Sequence, residues 1–494
     1  MEFEIASFVN KGIFFMNARR LMINADAEEA RPRPFINTGG PLDMITGKFV
    51  PAVDGSWMLS GGLGATTAIV AEANRFKSTL LHGCAINALA RWPDTEYLNN
   101  DTEYAAVDKD RLANMSDLYL DDPVKRISHV EDLKSRISIF DPTTQQGESL
   151  DAFVDHLKAV SEEKIKRYKD YEVETEVLDP ETMKPMRMLL PTFGAIDSWS
   201  EAMVRQMNVK NDSFDANTEM KEQRTMHMEE GWQKARLLRQ IPSICAKGGI
   251  YLLMTGHMGK KIAIGTTPNK KDMAFMGQDE AVKGMSNKFY FLMASMIKIS
   301  NTSPLTDKSD RRLSEYPSAD GIAGTELQQL LLTLVRCKNA ASGNQTQLVS
   351  SQKFGLLTGL SYYDYLRNNK YHGLGSPNKV RSPFLGDLNI GRTKIFDAVN
   401  DYKVRRALEI TYQHSVIQGS WTLMGQPVDC SIPIEVLAEK LMTSNSYAVD
   451  DILNSRGWWT YRGAPVDREY LSFFDILSII ENKYRPKWFA VTAG

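Results

Sequence analysis

The residues best suited to chemistry lie in the run AEANRFKST, Ala71 to Thr79, between an apolar segment and an amphipathic one. Thr67 to Val70 is short, apolar and rich in β-branched residues, which predicts a buried strand. Ser78 to Ala90 predicts a helix, with Leu80, Leu81, Cys84, Ala85, Ala88 and Leu89 on one face at a period of 3.6. A lysine and a hydroxyl residue in the first turn of a helix that follows a strand can hold a polyanion. The free N–H groups and the helix dipole attract negative charge there, and the ammonium adds a point charge. A phosphate loop has this form, Gly-x4-Gly-Lys-Ser/Thr, and Lys77 and Ser78 fit its end. Ala71 and Phe76 stand at its two glycine positions.

Other polar residues fall at the ends of apolar runs. Tyr97-Leu98 opens a short strand ending at Asp101, followed by Thr102 and Glu103, where a carboxylate can polarise an attacking water. Leu189 to Ile196 predicts a buried strand with Asp197 and Ser198 at its tip, placed to hold the water shell of a divalent cation. Ile250 to Met254 predicts another, with His257 just beyond it. LVRCKN sets Arg336 and Lys338 two apart on a strand, hence on one face. Further strands are expected at 289–299, 331–337 and 346–350, and helices at 149–171 and 229–240. Strands alternating with helices predict an α/β fold with a mainly parallel central sheet flanked by helices. Ligands of such sheets bind at the carboxyl ends of the strands, where these groups fall.

The composition narrows the alternatives. With 494 residues, 59 Lys+Arg and 61 Asp+Glu, the chain has room for more than one domain and a formal charge of −2. Any nucleic-acid binding must therefore be local. The four cysteines (Cys84, Cys245, Cys337, Cys430) have no metal or disulfide spacing, and the seven histidines form no HxxxH or HxH pair. These features fit a reducing cytoplasm and argue against a zinc site. No apolar run is long enough to span a membrane. The sequence from SPNKVRSPFLGDLNIG onward changes texture and predicts a small mixed, helix-rich C-terminal domain. There Ile434, Leu437, Ala438, Leu441 and Met442 mark one helix and LSFFDILSIIENKY another.

Taken in order, INTGGPLDMITG, AEANRFKST, DTE, AIDSWSEA, TGH, LVRCKN and QLVSSQKFGLLTGL resemble the RecA family of recombinases, including its phage UvsX-type members. The resemblance covers roughly residues 36–375, preceded by an N-terminal segment, 1–35, with a role in protomer contact, and followed by the C-terminal domain, 376–494. It implies a RecA-like ATPase core that uses ATP and Mg2+. Residues Ala71, Glu72, Ala73, Asn74, Arg75, Phe76, Lys77, Ser78 and Thr79 would form the phosphate loop. Ser78 and Asp197 would hold the metal, and Glu103 would act as the catalytic glutamate. His257 would stand at the family's usual glutamine switch. Arg336 and Lys338 would contact ATP across a filament interface.

Two segments, 202–228 and 258–288, fall where the family carries its DNA-binding loops. They offer Arg205 and Lys210 in the first, and Lys260, Lys261, Lys270 and Lys271 in the second, with Met273, Phe275 and Met276 as residues to insert between bases. The implied function is an ATP-dependent recombinase. It would form helical filaments on single-stranded DNA and pair them with homologous duplex DNA, in the cytoplasm, or the host cytoplasm for a viral member. Two other readings stay open: a hexameric helicase of the related fold, and a nucleotide-regulated DNA-binding protein with little hydrolysis. The first usually needs a sizeable N-terminal domain ahead of its phosphate loop, for which Lys77 leaves little room. The substituted loop glycines keep the second in play.

Overall fold

The computed structural model describes residues 33–102, 108–118, 123–141, 149–179, 182–205, 220–261, 270–284, 288–318, 322–369, 374–376, 379–386, 389–420, 430–443 and 449–489. The chain divides into two compact units, Met1–Pro32 and Arg33–Gly494, and all described residues belong to the second.

A hairpin of β1 (Lys48–Pro51) and β2 (Trp57–Ser60) leads into the main sheet. The main sheet contains β3 (Thr66–Ala71), β4 (Glu96–Asp101), β5 (Ile137–Phe140), β8 (Thr192–Asp197), β9 (Ile250–Lys260), β10 (Glu280–Val282), β11 (Ser295–Pro304), β12 (Leu327–Cys337), β13 (Gln345–Ser351) and β14 (Gly355–Leu356). Between β5 and β8 the chain forms a second hairpin, β6 (Glu172–Leu178) with β7 (Pro185–Leu189). The strand order is β14-β13-β12-β11-β3-β9-β8-β4-β5, with β10 paired to β9. The six strands from β11 to β5 are parallel, and β12, β13 and β14 extend them antiparallel.

The main helices are α1 (Pro41–Thr46), α2 (Lys77–Arg91), α3 (Pro123–Ser135), α4 (Leu150–Lys166), α5 (Met220–Gly248), α6 (Thr358–Asn368), α7 (Tyr402–Ser420), α8 (Ile434–Thr443) and α9 (Phe473–Ile480). None among the described residues is long and apolar enough to cross a membrane.

The sheet's central strands are mostly apolar because both faces are covered. All six residues of β3 and all six of β8 are buried. Ile69, Tyr97, Phe193 and Leu253 join Leu80, Leu81, Cys84 and Leu89 of α2 in one core. Val70, Leu98, Ile196 and Met254 join Phe153 and Leu157 of α4 and Leu238 and Ile241 of α5 in another. The molecule is thus a mixed α/β protein with a large, mostly parallel sheet flanked by helices. A third core ties α6 to the C-terminal helices through Leu360, Tyr363, Leu408, Leu437, Phe473 and Leu477. It also holds Leu327 and Val349 of the sheet's antiparallel extension, so the helical C-terminal region is packed continuously onto the α/β layers.

Several elements differ from their sequence expectation. The segment 289–299 opens as a short helix, Lys288–Leu292, before β11 begins at Ser295. The apolar run from Leu189 is broken at Leu190-Pro191, so that β8 starts only at Thr192. The helix expected at 229–240 is part of the much longer α5. Strand β9 runs on past Met254 and His257 to Lys260, because β10 pairs with its end.

Candidate nucleotide site

The chain leaves β3 at Ala71, crosses the loop 72–76 and enters α2 at Lys77. Two loop residues have left-handed backbones, Asn74 at φ 57° and Phe76 at φ 56°. For Phe76 this conformation costs about 1–2 kcal/mol, which a glycine would not incur. The loop therefore keeps a glycine-type turn at its last position without the glycine. The Phe76 ring is partly buried and packs against the core on the α2 face of the sheet.

Phe76, the N-cap of α2, makes no side-chain cap hydrogen bond. The Phe76 side chain thus offers the first-turn N–H groups no acceptor, where Ser, Thr, Asp or Asn would. Lys77 is buried, and its Nζ donates back across the loop to the Glu72 carbonyl at 3.1 Å. Arg75 donates to Thr302 Oγ1 at 2.9 Å and pairs with Glu72 at 3.2 Å, fixing the loop to β11. Ser78 is half-buried and Thr79 buried, while Glu72, Ala73 and Asn74 are exposed.

The strand tips meet this helix. Register aligns Ala71 with His257 and Asp101 with Asp197, so β3, β9, β8 and β4 end side by side. Alternation along the strands puts Asn99, Asp101, Asp197, Thr255 and His257 on the α2 face. Asp197 is held from two sides: its Oδ1 accepts from Thr255 Oγ1 at 2.6 Å, and its Oδ2 lies 3.7 Å from His82 Nε2. His82 sits one turn beyond Ser78 on α2, and its Nδ1 is 2.8 Å from the Tyr97 hydroxyl. It links α2 to the tip of β8 and to β4. Burial holds the His82 imidazole below its ordinary range, opposed by the nearby Asp197 and Asp101 carboxylates. Burial, assisted by Asp197, likewise pushes the Tyr97 phenol well up.

Beyond Asp197 the chain turns through a cis peptide bond to Ser198. Thr102 donates to the carbonyls of Asp197 and Ser198, both at 2.8 Å. The Asn99 amide and the Ser198 hydroxyl are buried with no hydrogen-bond partner among the described residues. Unsatisfied buried donors and acceptors of this kind fit a place where a polar ligand or water completes the set. His257 is half-buried. Its backbone N–H donates to Ser200 Oγ at 3.0 Å, and its Nε2 lies 4.0 Å from Glu201.

The structure therefore brings together Lys77, Ser78, Asp197 and the neighbourhood of His257, and adds His82, Tyr97, Thr255, Asn99 and Asp101. Sequence reasoning missed His82 because it sits on the apolar face of α2, where only its i+4 spacing from Ser78 marks it. No cluster of three or more metal-ligating side chains exists among the described residues. A cation here would thus need ligands from a bound phosphate as well as from Ser78 and Asp197. The fit is to a metal carried in with a polyphosphate.

Other expected residues lie elsewhere. Arg336 pairs with Met296, which pairs with Ala68, and Lys338 N donates to Ala294 near the start of β3. Lys338 therefore sits by the start of β3, the end away from the loop 72–76, while Arg336 lies two strands over and level with the middle of β3. Strand β12 ends at Cys337, so Lys338 lies beyond it rather than on it. The Arg336 guanidinium is 5.7 Å from the Phe291 ring.

The segment 258–288 is not simply a loop, since Met258–Lys260 pairs with β10. Lys261 is committed to Asp272 at 2.6 Å and to the Lys270 carbonyl at 2.7 Å. Met276 is 2% exposed and Met273 packs on the same core, because the hairpin folds back against the sheet layer. Of the three residues expected to reach bases, only Phe275 is exposed. Lys260, Lys270 and Lys271 are exposed and make no ion pair among the described residues. Arg205 is exposed, with its backbone N–H bonded to Asp151. Glu103 and Lys210 lie outside the described residues.

No family model matches the sequence, and no curated protein matches it. Among solved structures the chain is similar to the crystal structure of the RadB recombinase. The match covers 65% of this chain and 98% of that one, with 12% identity and a TM-score of 0.31.

Proposed function

We propose that the chain is an ATP-dependent DNA recombinase, a DNA-dependent ATPase that forms filaments on single-stranded DNA and pairs them with homologous duplex DNA. The observation that carries this reading is the uncapped mouth of α2. It presents Lys77 and Ser78 and is joined through His82 to Asp197 at the tip of β8. A strand, a left-handed turn and a helix start bearing Lys-Ser supply the N–H groups and the positive charge that a polyphosphate cradle needs, which supports this reading.

In this reading the Lys77 ammonium turns from the Glu72 carbonyl to the phosphates, and the loop from Ala71 to Thr79 surrounds them. Ser78 and Asp197 would hold Mg2+, which supplies charge neutralisation of the transferring phosphoryl group. Thr255 and His82 fix the Asp197 carboxylate in place. Glu103, two residues past the Asp101 tip, is assigned as the base that polarises the attacking water. His257 joins the site to β10 through its own carbonyl, which accepts from Lys283 N at 2.8 Å. It can therefore relay phosphate occupancy to the basic hairpin. Lys338 lies by the start of β3, away from the loop 72–76, and Arg336 two strands over from it, and both are assigned to the nucleotide of a neighbouring protomer. Lys260, Lys270 and Lys271 are assigned to the DNA backbone, with Lys261 holding the hairpin's shape.

A second reading, nucleotide-regulated DNA binding with little hydrolysis, is favoured by one observation. The bulky Phe76 at the last loop position limits how closely phosphate oxygens approach the backbone. One set of assays separates the readings: ATP turnover with and without single-stranded DNA, D-loop formation, and fork unwinding. A recombinase should show DNA-stimulated turnover with D-loops. Unwinding without D-loops would indicate a helicase, and DNA binding without turnover would support the second reading. Neutralising Lys260, Lys270 and Lys271 together should lower affinity for single-stranded DNA and reduce the salt slope by about 2, roughly 0.7 for each lysine withdrawn from the phosphates. An unchanged slope would remove the hairpin from the DNA path.

A further inference from the structure

A cleft of about 620 Å3 lies at the carboxyl end of α2. Its walls come from three separate parts of the chain: the last turn of α2, helix α3, and the segment 456–468 with Tyr402. Five cationic side chains line it against three carboxylates, Asp94, Asp132 and Asp467, and the pairing among them shows which cations are left without an ion-pair partner.

Arg91 is spent on Asp117 at 2.9 Å, and Arg136 on Asp132 at 2.7 Å. Arg468 lies 3.8 Å over the Tyr402 ring. Arg456 is held by the carbonyls of Arg468 and Trp458 and lies 4.7 Å over the Trp458 ring. It has no carboxylate in ion-pair range among the described residues. Lys125, at the rim, is exposed and makes no ion pair among them. Burial pushes Arg456 down to about 10, opposed by Tyr470, Tyr402 and Glu469. That is the direction expected of a guanidinium fixed in place without enough negative charge beside it.

We propose that this cleft is a binding site for a phosphorylated small molecule, with Arg456 and Lys125 as its anion-holding residues. The volume lies within the range of small-molecule sites and is far too small for a nucleic-acid duplex. A planar guanidinium locked by two carbonyls and a ring is preorganised for phosphate oxygens, and the lysine adds a mobile point charge. Guanidinium groups already lie over the Trp458 ring, with Arg91 5.7 Å from its centroid as well, so the cleft reads phosphate charge rather than a base. Affinity should therefore follow phosphate number: pyrophosphate should bind at least as tightly as AMP.

The test is calorimetric titration of the full chain at low salt with pyrophosphate, AMP and a 20-nucleotide DNA strand. A Lys77→Ala background weakens the first site, and the Lys125→Glu and Arg456→Gln comparisons, made in that same background, assign the binding to this cleft independently of the function proposed above. The expected result is one saturable pyrophosphate site, weakened about tenfold by Lys125→Glu, an exposed change that leaves the fold intact. Arg456→Gln should abolish binding with the circular-dichroism spectrum unchanged; if that variant unfolds, the Lys125 comparison still decides. AMP binding more tightly than pyrophosphate would contradict phosphate reading. No saturable heat up to about 10 mM pyrophosphate, a strength no specific site should miss, would overturn the proposal. So would equal affinity in the Lys125→Glu variant, or binding of the DNA strand alone.

Discussion

The two ends of α2 handle charge in opposite ways. At its amino end the helix leaves its first-turn N–H groups uncapped and offers one lysine, whose Nζ rests on a backbone carbonyl. At its carboxyl end Arg91 is buried, bonded to the Asn87 carbonyl and paired with Asp117, which also accepts from Thr358 Oγ1. In the function proposed above the first end takes a ligand, whereas much of the second is already neutralised by Asp117 and serves packing. A cation in a cleft points to a ligand only where no carboxylate already answers it. By that test Arg456 and Lys125 stand apart from Arg91 and Arg136 within one cleft.

The contrast breaks most sharply at Arg91. Both members of the Arg91–Asp117 pair are buried, so Arg91→Gln should cost about 3–5 kcal/mol of stability by urea unfolding. A cost under about 1 kcal/mol, typical of surface pairs, would mean that this end is not a structural anchor. At the other end, Lys77→Ala should leave stability nearly unchanged and weaken ATP binding about 100-fold, read by calorimetry. Equal ATP affinity would remove the phosphate-loop assignment.

A smaller effect sharpens the comparison through pH. Burial, assisted by Arg136, lowers His129 beside the cleft to about 4, against about 6.5 in an unfolded chain. As the pH falls from about 6.5 to about 4, the unfolded chain takes up a proton that the folded chain refuses, so stability should fall. His129→Gln should flatten that decline by up to about 2 kcal/mol, measured as the urea midpoint at pH 7 and pH 5. An identical decline in the variant would place the titrating group elsewhere. The smallest effect is expected at Phe76→Gly. Relief of a left-handed cost of about 1–2 kcal/mol offsets the lost ring packing, so stability should change by less than about 1 kcal/mol. ATP should bind roughly fivefold more tightly, as phosphates approach a backbone without a Cβ. Weaker binding would show that the ring itself helps form the loop.

The same contrast explains how much was legible in the sequence. Strand β3, helix α2 and the strand ending at Asp197 are local patterns: an apolar run, a 3.6-residue period, and a carboxylate where the run stops. The mainly parallel sheet follows from repeating that pattern. Tertiary pairing decided the rest. Met273 and Met276 look like free loop residues until the β9–β10 hairpin folds them onto the core. His82 looks like one more residue on an apolar face until β4 and β8 bring Tyr97 and Asp197 to it. The cleft at the carboxyl end of α2 joins Arg91, Lys125 and Arg456, residues from distant parts of the chain, and no spacing rule connects them.

Everything proposed for the first site requires that α2 receive a polyphosphate at its amino end. A crystal structure of the full chain with Mg2+ and a non-hydrolysable ATP analogue would show whether it does. Phosphate oxygens should lie within hydrogen-bond reach of the backbone N–H groups of Lys77 and Ser78. Lys77 Nζ should have moved from the Glu72 carbonyl to a phosphate, and the metal should lie between Ser78 and Asp197. An analogue bound elsewhere, with Lys77 still on Glu72, would contradict the assignment.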